Sequence, residues 1–546
     1  MTRREAVLSA LLVFAVALVI RAVFAAQIVF PMPEDTAYYV GVARNLVEGR
    51  GLVSDALWSF QTPPLVFPRP AFEVWLPLPT FLAAIPMALF GTTFSAAQVS
   101  SVLIGSIVPV LAWRLGADVA LERGLPMGRA RTLALGTGLT CAAYLPLLLH
   151  SALPDSTMPF AVFALGACLL MARLLRDPRG ARLADPRLVG IGVLLGLAAL
   201  TRNEAAWLAL VWVGLAGTAR ALPSVARLRL IGVAGVVALV IFAPWAYRDW
   251  VEFGSPLPGQ AVTNAFSVTG FDIFAWNDPP TLARYLAVGP ARLVEMRVEG
   301  LGHNLGSVLL LPGFPISLIG LLALSWTARG RAVRPVLLVG IVTFLVTSLV
   351  FPVATTWGTF LHAAGPFHVL IVLSALLALD TLLAGLGRRL GWTNEVAWLG
   401  ATLGVFSGLL FSVVLLTAFG SSSRDTARLY DELGRRMASA GHPFDADGLR
   451  VMSNFPIWIA ETQRVSTLAL PDEPPVDVLD LAATFPGTRY LVLSGADSQH
   501  WPSDLQTAAP GTECFLPLTL PAWVGEGTDP LHETSVYEIA CPVSAP

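Results

Sequence analysis

The stretch PMPEDTAYYVGVARNLVEGRGL, residues 31–52, follows directly on the apolar run of residues 6–30. It begins with two neighbouring acids, Glu34 and Asp35, continues with two tyrosines and closes on a Gly-Arg-Gly turn. Carboxylates at the end of an apolar segment need a reason, because a charged group is costly inside a membrane. Where this stretch lies relative to the membrane therefore decides how the rest of the chain is interpreted.

Residues 36–48 have the spacing of an amphipathic helix. The apolar face holds Tyr39, Val42, Ala43, Leu46 and Val47, and the polar face holds Arg44, Asn45 and Glu48. Such a helix directly after a transmembrane segment is expected to lie along the outer membrane surface. Asp35 or Thr36 is then its N-cap, and capping alone is one explanation of Asp35.

Composition indicates a membrane protein. Hydrophobic residues make up 55% of the 546 positions and charged residues only 13%, whereas soluble domains carry about 25% charged residues. The mean hydropathy is +0.68. The net charge of −2 leaves no basic field of the kind that nucleic-acid binding needs, so no nucleic-acid partner is expected.

The apolar runs predict about eleven transmembrane helices, since a span needs roughly 20 apolar residues. They are residues 6–30, 97–115, 131–149, 157–174, 188–201, 205–219, 230–247, 306–326, 335–352, 366–384 and 396–419. The first run is longer than the apolar core of a signal peptide, which predicts a retained helix. The short, proline-rich stretch 75–90 is interpreted as interfacial or re-entrant.

Arginine positions orient these spans by the positive-inside rule. With the N-terminus in the cytoplasm, every second loop is short and basic: 123–131, 176–187, 220–229, 329–334 and 388–389. The loops 31–96 and 248–305, the C-terminal region from residue 420 and the turns 150–155, 202–204 and 355–362 then face outward. The predicted location is the plasma membrane, in a multi-pass arrangement with membrane lipids as neighbours.

The C-terminal region has a different, more polar composition. Short β-rich runs at 449–452, 490–494 and 535–539, with a helix-like run at 476–484, predict a small extracytoplasmic α/β domain. Its boundaries are 421–546, after a membrane domain of residues 1–420, with Ser421–Ser423 as the linker. Cys514 and Cys541 are able to pair there if this region faces an oxidising compartment.

Two outward acids are candidates for chemistry. Asp35 and Asp155, the latter in HSALPDSTMPF, are predicted on the same side of the membrane at similar depth. Both positions also suit helix capping. Two such acids are a candidate site for Mg²⁺ or Mn²⁺, or divide the roles of base and binding group between them.

Other polar residues interrupt apolar segments on the outward side. Arg202 and Glu204, in LAALTRNEAAW, form a mutual ion pair or present the arginine to a phosphate. Arg248 lies beside the predicted aromatic belt of APWAYRDW, and His362 lies in ATTWGTFLHAAGPFH. Arg21, inside the first span, is expected to have a partner.

Several enzyme classes have no sequence support. The chain contains no GxxxxGK[ST], no GxGxxG after a strand, no HExxH and no CxxC. ATP-driven transport, Rossmann-type cofactors and zinc proteolysis are therefore not expected.

The stretch EDTAYYVGVARNLVEGRGL resembles the first outward loop of the GT-C membrane glycosyltransferases, the superfamily of protein O-mannosyltransferases and aminoarabinose transferases. The matching positions are Asp35, Tyr39, Ala43, Gly49 and Gly51. Four later segments resemble the same family in the same order over residues 1–260: FLAAIPMALFGTTFSAAQVSSVLIG, LPDSTMPFAVFALGACLL, GLAALTRNEA and APWAYRDWVEFGSP.

The resemblance implies a polytopic enzyme that moves a sugar from a polyprenyl-phosphate carrier to a lipid, glycan or protein acceptor at the outer face, usually with inversion. In that light Asp35 resembles the catalytic base, with Glu34 and Tyr39 beside it. Asp155 resembles the second acid, which in some members helps to hold a divalent cation, and Arg202 the basic residue near the lipid phosphate.

Two positions depart from the family pattern. His362 stands where many relatives have an Arg-Tyr pair, and Arg248 is followed by aspartate in place of the commoner asparagine. Substrate contacts are thus expected from Glu34, Tyr39, Arg202, Glu204, Arg248 and His362. The alternatives from other functional classes are a transporter or lipid flippase and a scaffold that binds cell-wall polymers. A transporter more often shows paired repeats and interrupted spans at matching positions in its two halves, and the sequence shows neither. The scaffold leaves the two acids and Arg202 without a shared role.

Overall fold

The structure is a computed structural model that describes residues 2–176, 185–258, 263–392, 396–495 and 501–541. Most of the predicted basic loop 176–187 and a short part of the outward loop 248–305 lie outside these ranges. The described chain is mostly helical, and its polar C-terminal region carries most of the strands.

The first half of the chain is almost entirely helical. Its helices are α1 (Arg3–Ala25), α2 (Glu34–Val47), α3 (Leu78–Phe90), α4 (Phe94–Gly105), α5 (Ile107–Glu122), α6 (Met127–Ala143), α7 (Leu145–Leu149), α8 (Thr157–Arg176), α9 (Pro186–Ala199), α10 (Ala205–Gly217) and α11 (Ser224–Phe253). Three two-residue strands lie in the loop after α2: β1 (Val53–Ser54), β2 (Ala56–Leu57) and β3 (Arg69–Pro70).

The second half adds further helices and a sheet. The helices are α12 (Leu282–Ala287), α13 (Gly289–His303), α14 (Ile316–Thr327), α15 (Arg334–Leu349), α16 (Thr359–Ala363), α17 (Gly365–Arg389), α18 (Ala397–Ser439), α19 (Pro456–Gln463), α20 (Pro475–Thr484) and α21 (Trp501–Thr507). The strands are β4 (Arg450–Ser453), β5 (Ser466–Ala469), β6 (Thr488–Ser494), β7 (Phe515–Pro517) and β8 (Thr534–Ile539).

Among the described residues, six helices are long and apolar enough to cross a membrane. They are α1, α4 with α5, α8, α11, α17 and α18. A further apolar segment, Gly289–Gly313, meets α14 at a bend of 118°, and the two together form either one broken span or a re-entrant loop. Four shorter apolar helices, α3, α9, α10 and α15, accompany them. These helices indicate a multi-pass membrane protein, and the count of eleven spans stays a prediction.

Arg21 has the partners that its place inside the first span requires. Its guanidinium donates to the Ser151 hydroxyl at 2.9 Å and to the Ala142 carbonyl oxygen at 3.1 Å, and the side chain is fully buried. These bonds tie α1 to α6 and to the turn before α8. The turn 150–155 is thereby held against the helix bundle.

The predicted linker Ser421–Ser423 is wrong. Helix α18 continues without a break from the membrane segment to Ser439. Ser423 is buried, and its hydroxyl accepts hydrogen bonds from the amides of Val29 and Phe30. A continuous helix therefore connects the apolar bundle to the C-terminal sheet, and the proposed boundary at 420/421 stays a prediction.

The C-terminal region contains a mixed sheet of six strands in the order β2-β5-β4-β6-β8-β7. The strands β2, β5, β4 and β6 run parallel, whereas β8 pairs antiparallel with both β6 and β7. The predicted runs at 449–452, 490–494 and 535–539 correspond to β4, β6 and β8, and 476–484 to α20. Cys514 and Cys541 form a disulfide. One edge strand, β2, comes from the first outward loop, so this loop and the C-terminal region share a sheet.

Helix α2 differs from its prediction in two respects. It begins at Glu34 with Pro33 as its N-cap, so Asp35 and Thr36 are not the capping residue. Its polar face is also partly covered: Arg44 is buried and makes a two-pronged ion pair with Glu461 of α19, Asn45 is buried, and Glu48 is exposed. The helix is thus packed against the C-terminal region, and its lying along the outer membrane surface stays a prediction.

Candidate active site

Helix α2 brings the acids of the opening stretch to the wall of a cavity. Glu34 and Asp35 lie in its first turn, where unpaired backbone amides favour negative charge. The cavity has a volume of about 610 Å³. Its polar lining includes Glu34, Asp35, Tyr39, Arg202, Asn203, Glu204, His303 and His362, and its aromatic lining includes Trp58, Trp75, Trp207, Phe274, Trp357, Phe455 and Trp458.

Six of the predicted site residues therefore line one cavity, and two do not. Asp155 lies behind the wall, where its side chain is 1% exposed. Arg248 is not among the described lining residues. Its guanidinium donates to the Ala71 carbonyl oxygen at 2.7 Å and to Asp249 at 3.1 Å, and it stacks on Trp245. The predicted substrate contact of Arg248 therefore stays a prediction, because only its absence from the described lining distinguishes it from Arg202.

Asp35 is the acid that faces the cavity. Its side chain is 29% exposed, and its Oδ2 lies 3.6 Å from Nε2 of His362. Burial raises the pKa of Asp35 to about 6; the charge of Asp155 adds to this effect, while Arg202 and a hydrogen bond from Trp75 oppose it. A carboxylate with such a pKa is largely ionised at neutral pH and is basic enough to accept a proton.

Glu34 is occupied by the C-terminal region. Its Oε1 accepts a hydrogen bond from the Ile457 amide at 3.0 Å, at the beginning of α19. Burial, reinforced by the neighbouring charge of Asp35, raises the pKa of Glu34 to about 8. The side chain is therefore mostly protonated at neutral pH, and it anchors the aromatic start of α19 next to Asp35.

Arg202 lines the cavity, and three hydrogen bonds fix the orientation of its guanidinium. It donates two hydrogen bonds to Glu204, at 3.0 and 2.8 Å, and a third to the Ser156 hydroxyl at 2.7 Å. The predicted mutual ion pair is therefore present, and the guanidinium still lines the cavity. Tyr39 interacts with Ser156, and burial keeps the pKa of its hydroxyl well above the ordinary value.

Behind the wall lies a buried cluster of His150, Asp155, Thr157 and His362. Nδ1 of His150 is 3.0 Å from Oδ2 of Asp155, and the Thr157 amide donates to Oδ1 of Asp155 at 2.8 Å. The Thr157 hydroxyl is 2.6 Å from Nδ1 of His362 and 3.3 Å from Nδ1 of His150. The cluster links the turn before α8 to α16, two segments that are far apart in the sequence.

The cluster favours a charged acid and a neutral imidazole. Burial acts to raise the pKa of Asp155, but His150, His362 and the Thr157 amide together hold that pKa below its ordinary value. Burial and the charge of Arg202 lower the pKa of His362 to about 3. A neutral imidazole keeps a lone pair for a metal ion or a hydrogen-bond donor.

One ligand atom each from His150, Asp155 and His362 lie within 4.8 Å of one another. This set differs from the predicted pair of Asp35 and Asp155, because Asp35 is not part of it. His150 was missed as a ligand although it begins the motif that contains Asp155. A histidine five residues before an acid in one outward turn was the available signal; the pairing with His362 is decided by packing.

The sequence matches no protein-family model and no curated protein. The fold, however, is similar to solved structures. ArnT from Cupriavidus metallidurans bound to undecaprenyl phosphate has a TM-score of 0.58 at 14% identity, over 98% of this chain and 99% of that one. The chain has the GT-C fold.

A second GT-C structure is also similar. The archaeal oligosaccharyltransferase AglB from Archaeoglobus fulgidus, in complex with an inhibitory peptide and a dolichol-phosphate, has a TM-score of 0.52 at 15% identity, over 88% of this chain and 69% of that one. A further structure of the Archaeoglobus fulgidus oligosaccharyltransferase, in complex with Zn and sulfate, has a TM-score of 0.51 at 16% identity, over 88% and 68%. The predicted GT-C resemblance is therefore confirmed at the level of fold.

Proposed function

We propose that the protein is a membrane glycosyltransferase. It moves a sugar from a polyprenyl-phosphate-linked donor to a lipid, glycan or protein acceptor at the outer face of the membrane. The observation that carries the proposal is the placement of Asp35 and Arg202 on one cavity of a GT-C fold. Two similar structures hold undecaprenyl phosphate and a dolichol-phosphate respectively, which supports a polyprenyl-phosphate donor here.

The reaction assigned to the cavity needs one base, Asp35, and one positively charged side chain, Arg202. Asp35 takes the proton of the acceptor hydroxyl while the oxygen of that hydroxyl forms a bond to the anomeric carbon of the donor sugar. The bond from that carbon to the phosphate oxygen breaks, and the electron pair leaves with the phosphate. A direct displacement of this kind inverts the anomeric centre. Arg202 stabilises the leaving phosphate, because its fixed guanidinium suits the geometry of phosphate oxygens.

A divalent cation fits the buried cluster. Imidazole nitrogens suit Zn²⁺, whereas Mg²⁺ and Mn²⁺ prefer oxygen ligands, so His150, Asp155 and His362 favour Zn²⁺ over the predicted Mg²⁺ or Mn²⁺. His150, Asp155 and His362 would hold the cation, which would supply positive charge for the leaving phosphate. The Thr157 hydroxyl orients the two histidines, and His362 also lines the cavity beside Asp35.

The proposed topology keeps the predicted orientation. The N-terminus is cytoplasmic, about eleven segments cross the membrane, and the cavity and region 421–546 are extracytoplasmic. The disulfide between Cys514 and Cys541 supports this orientation, because disulfides persist in oxidising compartments. The β2 strand and the α2–α19 contacts support a common side of the membrane for the first outward loop and the C-terminal region.

Transfer assays with purified protein test the proposal. The protein is incubated with a panel of polyprenyl-phosphate sugars, and consumption of each donor is followed by mass spectrometry. We expect one donor class to be consumed by the wild type and not by Asp35→Asn. The bend of 118° between Gly289–Gly313 and α14 favours a transporter or flippase as the second candidate, since transporters use broken helices at their binding sites. A lipid that is translocated but never cleaved would establish that second function.

A further inference from the structure

The C-terminal region contributes a pair of aromatic rings to the cavity. Phe455 precedes α19 and Trp458 lies in its first turn. Their ring centroids are 4.7 Å apart at an interplanar angle of 24°. Both rings are half-buried and both line the cavity. They present an aromatic surface that the protein interior does not cover.

The pair is held rigidly. The Trp458 indole donates a hydrogen bond to the Pro31 carbonyl oxygen at 3.0 Å, and its ring packs edge-on against Phe30. The Phe455 amide donates to the Ser453 hydroxyl at 3.0 Å. Since the indole N–H already has an acceptor, Trp458 contributes aromatic surface to the cavity and no free hydrogen-bond donor.

The pair also lies close to the proposed base. Ile457, between the two aromatic residues, donates its amide hydrogen to Glu34, and Glu34 is the neighbour of Asp35 in the first turn of α2. This hydrogen bond therefore fixes the position of the aromatic pair relative to the first turn of α2, which contains Asp35. A molecule that stacks on these rings therefore lies in the same cavity as Asp35.

The charges of the lining exclude a second anion. Among the described lining residues, the acids are Glu34, Asp35 and Glu204, and the only lysine or arginine is Arg202. Arg202 is ion-paired with Glu204 and faces the donor phosphate in the proposed function. No further cation of the described lining is left to neutralise a phosphate or carboxylate on the acceptor.

From these observations we infer that Phe455 and Trp458 form the acceptor subsite, and that the acceptor presents an uncharged carbohydrate ring. The inference rests on the proposed function. The C–H face of the sugar ring stacks on the aromatic surface, because aromatic faces carry partial negative charge and ring C–H groups partial positive charge. One hydroxyl of the ring gives its proton to Asp35 and forms the new bond to the anomeric carbon of the donor, whose bond to phosphate breaks.

Kinetics with simple acceptors test the subsite. The probes are p-nitrophenyl glycosides of glucose, galactose and mannose, and mannose 6-phosphate as the anionic acceptor. For Phe455→Leu we expect the KM of the preferred glycoside to rise roughly three- to tenfold, which is the loss of affinity that removal of one aromatic contact causes. The kcat and the slow hydrolysis of donor by water should stay near wild type. Trp458→Phe keeps an aromatic ring, so its KM for the glycoside should rise less than that of Phe455→Leu.

Phe485→Leu is the matched control. Phe485 is also an aromatic residue of the C-terminal region that contacts a tryptophan, Trp276, but it does not line the cavity. Its KM should equal that of the wild type. An unchanged KM in Phe455→Leu, an equal rise in both variants, or a preference for mannose 6-phosphate would overturn the inference.

Binding measured without donor separates the two proposals. Saturation-transfer NMR detects p-nitrophenyl glycosides on the wild type, and the signal should weaken in Phe455→Leu but not in Phe485→Leu. If this pattern holds and no donor is ever consumed, the proposed function and the acceptor role of the pair both fail, and only the binding of a carbohydrate ring to Phe455 and Trp458 stands. If donor is consumed and glycosides do not bind, the subsite fails and the proposed function stands.

Discussion

Asp35 and Asp155 both follow an apolar segment and both face the outward side in the predicted topology, yet they lie in opposite surroundings. Asp155 is 1% exposed and is held by two histidines and a backbone amide. Asp35 is 29% exposed, opens onto the cavity, and has a pKa raised to about 6. The difference indicates that one carboxylate is kept charged and immobile whereas the other is free to take a proton.

The largest effect is expected from removing the free carboxylate. Asp35→Asn keeps the size of the side chain but leaves no base, so transfer should fall by roughly 10²- to 10⁴-fold. Thermal unfolding should remain near that of the wild type, since Asp35 is not the helix cap. Donor consumption and melting temperature measured on one preparation check this. Normal activity combined with reduced stability would instead show that Asp35 is only structural.

Asp155→Asn should affect both stability and activity. The amide keeps only one acceptor oxygen for the two contacts that the Asp155 carboxylate makes with His150 and the Thr157 amide, so the free energy of unfolding should fall by about 1–3 kcal/mol. Transfer should fall by roughly tenfold or more if the cluster holds a cation. Zn²⁺ binding, measured by calorimetry on the wild type and on the variant, separates the two causes. If the wild-type protein keeps its full activity after chelation, the reaction needs no cation.

The pH profile distinguishes the two acids without mutation. Because the raised pKa of Asp35 is about 6, and the base must be ionised, kcat/KM should rise with pH and reach half its plateau near pH 6. At pH 5 the rate should be about tenfold below the plateau. Initial rates between pH 4.5 and 8.5 measure this limb. A half-maximum near pH 4 would assign the limb to an acid of ordinary pKa.

The smallest effect is expected at Arg248, which the sequence placed in the site and the structure does not. Arg248→Gln keeps a donor for the Ala71 carbonyl oxygen, so the KM for the donor lipid should change by less than about twofold. Arg202→Gln, on the cavity, is the contrasting variant and should raise that KM by at least roughly tenfold. Equal effects of the two changes would contradict the assignment of the phosphate to Arg202.

The GT-C fold was predictable from local signals, because short segments such as those around Asp35 and Asp155 resemble that family. The long apolar runs by themselves indicate transmembrane helices. The strands β4, β6 and β8 were predictable for the same reason, since their β-rich residues are adjacent. The helical structure of Ser421–Ser423 was not predictable, because small polar residues are typical of loops. Here the amides of Val29 and Phe30, which are distant in the sequence, donate hydrogen bonds to Ser423 within a continuous helix.

The sequence by itself determined which segments are apolar, which loops between them are rich in arginine, and that Glu34, Asp35 and Asp155 follow apolar segments. Tertiary structure decided what those acids do. The contacts of Arg44 with Glu461, of Glu34 with Ile457 and of Asp155 with His362 join residues that are distant along the chain. Burial and nearby charge set the pKa of each carboxylate, and both depend on which distant segments pack together.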